Sequence, residues 1–181
     1  SIANYMGGKH FFRNISVLFL FLSVCFSAPA QRNDSISVYI FLSETCPICQ
    51  NQTLTLRQLY SEYSSKGISF TGLFPNGEYS TKDNIKKFGK KYKIDFELKR
   101  DEAQLLTKKF SATVTPEVFV VNNLTQEFLY RGKVDNSFEG IGKKRQVITE
   151  HYLRDALENI LNQKTVAVKE TQPVGCFIIK N

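Results

Sequence analysis

The sequence predicts an α/β fold in which a mixed central sheet is flanked by helices and followed by a C-terminal extension. Three observations predict it. The run Ile36 to Leu42 is almost continuously β-branched and aromatic, the character of a strand buried on both faces. Amphipathic stripes then alternate with apolar strands, the pattern of a parallel-rich sheet covered by helices. Late in the chain, two apolar runs flank Asn122-Asn123 and add an antiparallel hairpin at one side.

The elements follow in order. Strand 35–42 runs into Ser43-Glu44-Thr45-Cys46-Pro47-Ile48-Cys49. Beyond it Leu56, Leu59, Tyr60 and Tyr63 recur at i, i+3, i+4 and i+7, one face of a helix that Gly67 closes. A second strand is expected over 68–74, stopped by Pro75-Asn76-Gly77. Ser80 to Asp83 offer capping groups for a helix facing inward through Ile85, Phe88, Gly89 and Tyr92. A short strand is expected at 96–98, then a third helix over 101–110 packing through Ala103, Leu106 and Phe110. Thr115-Pro116 introduces the strand Val118 to Val121, and 128–134 reads as its hairpin partner, weakened by Gly132. A last helix is expected over 149–162, with Leu153, Ala156, Leu157, Ile160 and Leu161 inward.

The opening segment does not belong to this domain. Met6 is the only methionine and a plausible start, with residues 1–5 upstream of it. Lys9, His10 and Arg13 precede the apolar run Ile15 to Phe26, which ends in Ala28-Pro29-Ala30. A basic stretch, a short apolar stretch and a small-x-small site read as a secretory signal peptide over 1–30. The apolar run is short of the roughly 20 residues a spanning helix needs. Cys25 in Leu22-Ser23-Val24-Cys25 offers a minority alternative, a lipid anchor, although Val24 is bulky for such a site. The expected organisation is therefore a cleaved leader, one domain over 31–165, and a tail over 166–181 that carries Cys176. Export, most simply to a bacterial periplasm, is the expected destination.

The leader removes Lys9 and Arg13, so the formal charge of +7 becomes +5. Lys86, Lys87, Lys90, Lys91 and Lys93 give one helix a basic face, but acidic residues are scattered throughout and no nucleic-acid motif accompanies the charge. No nucleic-acid partner is expected. Outside the cytosol disulfides persist. The mature chain has Cys46, Cys49 and Cys176, and three thiols cannot pair off completely, which favours chemistry over structural stapling.

The chemistry centres on Cys46 and Cys49. A Cys-x-x-Cys where a buried strand hands over to a helix puts its first sulfur at exposed backbone N–H groups and the positive end of the macrodipole. Both favour the thiolate, so Cys46 is the expected nucleophile. Cys49, about one helical turn on, is placed to resolve a mixed disulfide. Pro47 falls in the first turn, where its missing N–H costs little. A zinc site would need further ligands, and only Cys176, His10 and His151 remain, with His10 lost in the leader. Pro116 stands before a strand that reads as central, which implies a strand start or a special turn geometry. Cys176, in the apolar tail, admits two readings: a small buried hydrophobe, or a third redox thiol brought back by the tail.

With its Cys-Pro-x-Cys, its Thr-Pro before a strand and this element order, the chain from Ser35 to about Asn162 resembles the thioredoxin-like superfamily. It looks closest to the exported redoxin and TlpA-like thiol–disulfide oxidoreductases. The resemblance implies a cis bond at Thr115-Pro116, facing the cysteines and leaving the Thr115 backbone free to pair with an extended substrate. It implies no bound cofactor, since electrons arrive through disulfides of exported proteins and of an electron-donor partner. The chain departs from thioredoxins in having Thr45 where they carry tryptophan and Ile40 where they bury an acid. Peroxiredoxins, the competing enzyme class on this fold, resemble it less. Their Pro-x-x-x-Thr-x-x-Cys motif meets Tyr39 and Ser43 here, and Arg57 and Arg131 are the arginines to consider for peroxide contact. A copper chaperone on the same scaffold would need His151, which reads as a surface residue at a helix head.

Overall fold

The structure, a computed structural model, describes residues 35–180. The expected signal peptide, with Met6, Cys25 and the Ala28-Pro29-Ala30 site, lies outside the described residues.

Strand β1 (Ile36–Phe41) leads into helix α1 (Pro47–Tyr63) and a 3-10 turn over Ser64–Lys66. Gly67, at φ 85°, takes the left-handed conformation that ends this turn. There follow β2 (Ser69–Phe74), α2 (Lys82–Tyr92) and β3 (Glu97–Arg100). Next come α3 (Leu105–Phe110), the two-residue β4 (Val114–Thr115), β5 (Glu117–Asn122) and β6 (Phe128–Gly132). A small hairpin of β7 (Phe138–Gly140) and β8 (Lys143–Lys144) precedes α4 (Tyr152–Leu161), and β9 (Cys176–Phe177) closes the chain.

The five-stranded sheet has the order β3-β2-β1-β5-β6. Its first three strands are parallel to one another, and β5 and β6 run antiparallel, so the sheet is mixed. Side chains alternate between its faces. Val38, Ile40, Val118 and Val120 enter the larger core, where α1, α2 and α4 contribute Leu56, Phe88 and Leu157. Phe41, Phe119 and Val121 enter a smaller core on the other face, completed by Phe110 of α3 and Ile178 of the tail. The Phe110 ring lies 5.2 Å from that of Phe119. Edge and tilted contacts of this kind add about 0.5–1.5 kcal/mol per pair to the burial itself.

Three elements differ from their sequence expectation. The third helix does not span 101–110. A 3-10 turn over Glu102–Gln104 comes first, with Ala103 and Gln104 at φ 50° and 55°, and Ala103 is exposed rather than packed. The reason is Asp101, whose carboxylate accepts from the Leu106 and Thr107 N–H groups and the Thr107 hydroxyl, capping α3 at Leu105. The short strand lies at Glu97–Arg100, slightly later than expected, because Phe96 turns into the core. The last helix starts at Tyr152, since the Asn136 side chain takes the backbone of Thr149 and Glu150 into its own hydrogen bonds.

The C-terminal extension is tied down along its length. Val166 is buried in the larger core. Glu170 bridges to Arg131 on the outer edge of β6, and the Thr171 N–H donates to the Arg131 carbonyl at 3.0 Å. Gly132, at φ 129°, lies so close to Thr171 that a Cβ there would overlap its backbone. The buried Tyr130 hydroxyl contacts both the Lys133 carbonyl and Thr171 Oγ1. Beyond this strap the chain crosses to β4.

Candidate active site

The site is assembled where β1 ends, α1 begins and the turn before β5 comes opposite. Cys46 is the residue preceding α1, with extended backbone (φ −75°, ψ 116°), and Pro47 is the first helical residue. No side chain caps this terminus and no acid lies in its first turn, so the backbone N–H groups and the helix dipole favour negative charge on the Cys46 sulfur, against the cost of its burial. The loop before it is held in place: the Ser80 hydroxyl donates to Glu44 Oε2 at 3.1 Å, and Gln50 Nε2 to the Glu44 carbonyl at 2.8 Å. Burial pushes the Glu44 carboxyl up, and its Oε1 has no partner in the structure.

Opposite Cys46, the Thr115-Pro116 peptide bond is cis. In the thiol form Cys46 Sγ donates to the Thr115 carbonyl at 3.1 Å. The turn is shaped by Glu117, which accepts from the Thr113 and Val114 N–H groups at 2.8 and 3.4 Å. Burial is the main influence on Glu117 and raises its pKa. Neither Glu44 nor Glu117 was singled out from sequence. A signal existed for the second, since an acid inside an apolar strand needs buried partners.

All three described cysteines are free thiols and they meet here. Cys46 and Cys49 are 1% and 0% exposed, while Cys176 is half-buried. Strand β9 pairs antiparallel with β4, setting Cys176 opposite Thr115. The Cys176 thiol donates to Cys46 Sγ at 2.8 Å. The Ser43 N–H donates to Cys49 Sγ at 3.4 Å. Electrostatics separate the three sulfurs. Hydrogen bonding from the Cys49 thiol, with a smaller contribution from Cys176, lowers the Cys46 pKa to about 5. Complete burial, and then the neighbouring Cys46 charge, push Cys49 well above the usual thiol range. Burial, followed by contact with Cys46, raises Cys176 to about 12. One thiolate between two protonated thiols is the arrangement a nucleophile in disulfide exchange requires.

The other sequence candidates lie apart from this cluster. Arg131 pairs with Glu170 at 2.5 Å on the outer edge of the sheet. Arg57 lines a surface groove with Leu54, Tyr60 and Asp95. His151 is exposed at the head of α4. Among the described residues no group of three or more His, Cys, Asp and Glu side chains is arranged to hold a metal ion.

This sheet order, with a Cys-x-x-Cys at a strand-to-helix junction against a cis-proline turn, defines a thioredoxin-like protein. The chain belongs to the AhpC/TSA family, whose pattern matches residues 26–126. No curated protein matches it. Among solved structures it is similar to an uncharacterized conserved protein from Geobacillus kaustophilus, at 27% identity and a TM-score of 0.71, covering 80% of this chain and 77% of that one. A hypothetical protein from Sinorhizobium meliloti 1021 superposes equally well, with a TM-score of 0.71 at 24% identity, covering 82% of each chain. The solution structure of a thioredoxin-like protein in its oxidized form shares the fold at 14% identity, with a TM-score of 0.56, covering 72% of this chain and 80% of that one.

Proposed function

We propose that the protein is an exported thiol–disulfide oxidoreductase acting on disulfides of other exported proteins. Cys46 attacks, Cys49 resolves, and Thr115-Pro116 is the turn against which an extended substrate pairs. The observation that carries this reading is the placement of the sulfurs: Cys46 stands at the uncapped start of α1 and meets the Thr115 carbonyl of the cis turn at 3.1 Å, with Cys49 wholly buried one turn on. The Cys46 thiolate attacks a substrate disulfide, forming Cys46–S–S–R and releasing the first substrate thiolate. Cys49 then attacks Cys46 Sγ, closing Cys46–Cys49 and releasing the second. The substrate gains two electrons, and the cysteine pair loses them to be re-reduced by a dithiol partner. Export rests on the leader in the sequence, and mass spectrometry of the mature N-terminus tests it: a chain beginning at Gln31 supports cleavage, and a lipid-modified Cys25 an anchored form. No helix among the described residues is long and apolar enough to cross a membrane.

The test of the chemistry is a peptide disulfide added to a Cys49→Ser, Cys176→Ser double variant. A stable peptide adduct on Cys46 is expected, and its absence would remove the oxidoreductase reading. The family match favours a second reading, a thiol peroxidase in which Cys46 reduces a hydroperoxide. Tyr39 and Ser43 at the motif positions, and Arg131 engaged by Glu170, weigh against it. Hydrogen peroxide turnover that survives Cys49→Ser would reverse that preference.

A further inference from the structure

The last residues of the chain lie where a substrate is expected to bind. Resting on the oxidoreductase reading above, we infer that the tail around Cys176 is an intramolecular substrate mimic, and that Cys176 exchanges with the active-site disulfide to form a Cys46–Cys176 bond. Four features of the structure carry the inference.

First, β9 adds to the backbone of Val114 and Thr115, the same strand edge an extended peptide would use. The pairing is extended by the Ile178 N–H, which donates to the Thr113 carbonyl at 3.0 Å. Second, this register places Cys176 Sγ 2.8 Å from Cys46 Sγ, within reach of a covalent bond after a sub-ångström approach. Third, the seating is built in. Ile178 is buried in the smaller core, and Gly175 lies so close to the Thr115 carbonyl that a Cβ would overlap it. Phe177 and Ile179 alternate outward, as strand geometry requires. Fourth, Cys49 is wholly buried, whereas Cys176 is half-buried on a two-residue strand. Exchange therefore moves a disulfide from a buried pair to one that a partner can reach.

The step balances without an outside oxidant. With Cys46–Cys49 formed and substrate gone, the tail returns and Cys176 loses its proton. The Cys176 thiolate attacks Cys46 Sγ, the Cys46–Cys49 bond breaks, and Cys49 leaves as a thiolate that takes up a proton. One disulfide replaces another with no net oxidation. The Cys46 charge that helps keep Cys176 protonated in the reduced protein is absent once Cys46 is in a disulfide, so Cys176 ionises more readily at the moment it is needed.

The test first maps the disulfides of the full chain, all three thiols present, after oxidation by a peptide disulfide. A Cys46–Cys176 link is expected beside Cys46–Cys49, and Cys46–Cys49 alone would overturn the inference. It then uses the full chain with Cys49→Ser alone, in which a bound peptide takes the place of Cys49 as the leaving thiol, beside the Cys49→Ser, Cys176→Ser double variant. After addition of a peptide disulfide, intact mass and non-reducing peptide mapping follow the products. The single variant is expected to lose its peptide adduct and map a Cys46–Cys176 link, while the double variant keeps the adduct. Adducts equally stable in both would overturn the inference and leave the oxidoreductase reading standing, whereas no adduct in either sinks both. Introducing Ile178→Ala into the single variant, which unseats the tail but keeps Cys176, is expected to slow closure about tenfold or more, through loss of positioning. Closure at an unchanged rate would mean that seating plays no part and would likewise overturn the inference.

Discussion

The Cys46 sulfur receives help from two sources, the amides at the start of α1 and the neighbouring thiols, and a substitution separates them. The lowered pKa means that the thiolate predominates at neutral pH and is lost as pH falls through about 5. Cys49→Ala deletes the largest contribution and should move that midpoint upward, read from thiolate ultraviolet absorbance against pH in the otherwise reduced protein. A midpoint still near 5 would assign the effect to the helix terminus and the Cys176 thiol. Glu117 acts one layer out. Glu117→Ala leaves the Thr113 and Val114 N–H groups without their acceptor and should cost about 1–3 kcal/mol in denaturant unfolding. Glu117→Gln, which keeps an acceptor oxygen, should cost less. Cys46, Cys49 and Pro116 were legible in the sequence because their spacing and their places beside strands are local facts. The contact between Cys46 and Cys176 was legible only as one of two readings of the tail, because it joins residues 130 positions apart and depends on where the tail seats.

At the scale of elements, legibility followed the source of each element's stability. β1 and α1 declare themselves, since an apolar run and a 3.6-residue stripe report burial directly. Helix α3 is different. Its stripe extends back through Ala103, yet the Asp101 carboxylate claims the first free amides and the chain turns through two left-handed residues instead. Asp101→Ala should therefore cost about 1–3 kcal/mol and loosen the Phe110 cluster, seen as a lowered denaturation midpoint together with faster hydrogen exchange in α3. Thr81, which caps α2 by accepting from the Asn84 N–H at 3.2 Å, supplies a milder comparison. Thr81→Ala is expected to cost about 1 kcal/mol in the same assay. Two-residue strands such as β4 and β9 carry no period that a sequence pattern can report. They exist because each finds the other.

Across the whole molecule, the extension after α4 ties the outer edge of the sheet to the site at its centre. Tyr130→Phe removes the hydroxyl that joins Lys133 and Thr171, and should cost about 1–2 kcal/mol and speed exchange of the Thr171 amide. The two borders of the sheet are also protected differently. On β3 the charged side chains of Glu97, Lys99 and Arg100 discourage a neighbour, whereas β6 is shielded by the strap at 169–171. Losing everything after α4 would thus bare a pairing-competent margin and invite aggregation along with any change in catalysis. Releasing only the segment beyond Thr171 would open the reactive centre while that margin stayed sheathed, so the molecule can expose its chemistry without exposing its stickiest border.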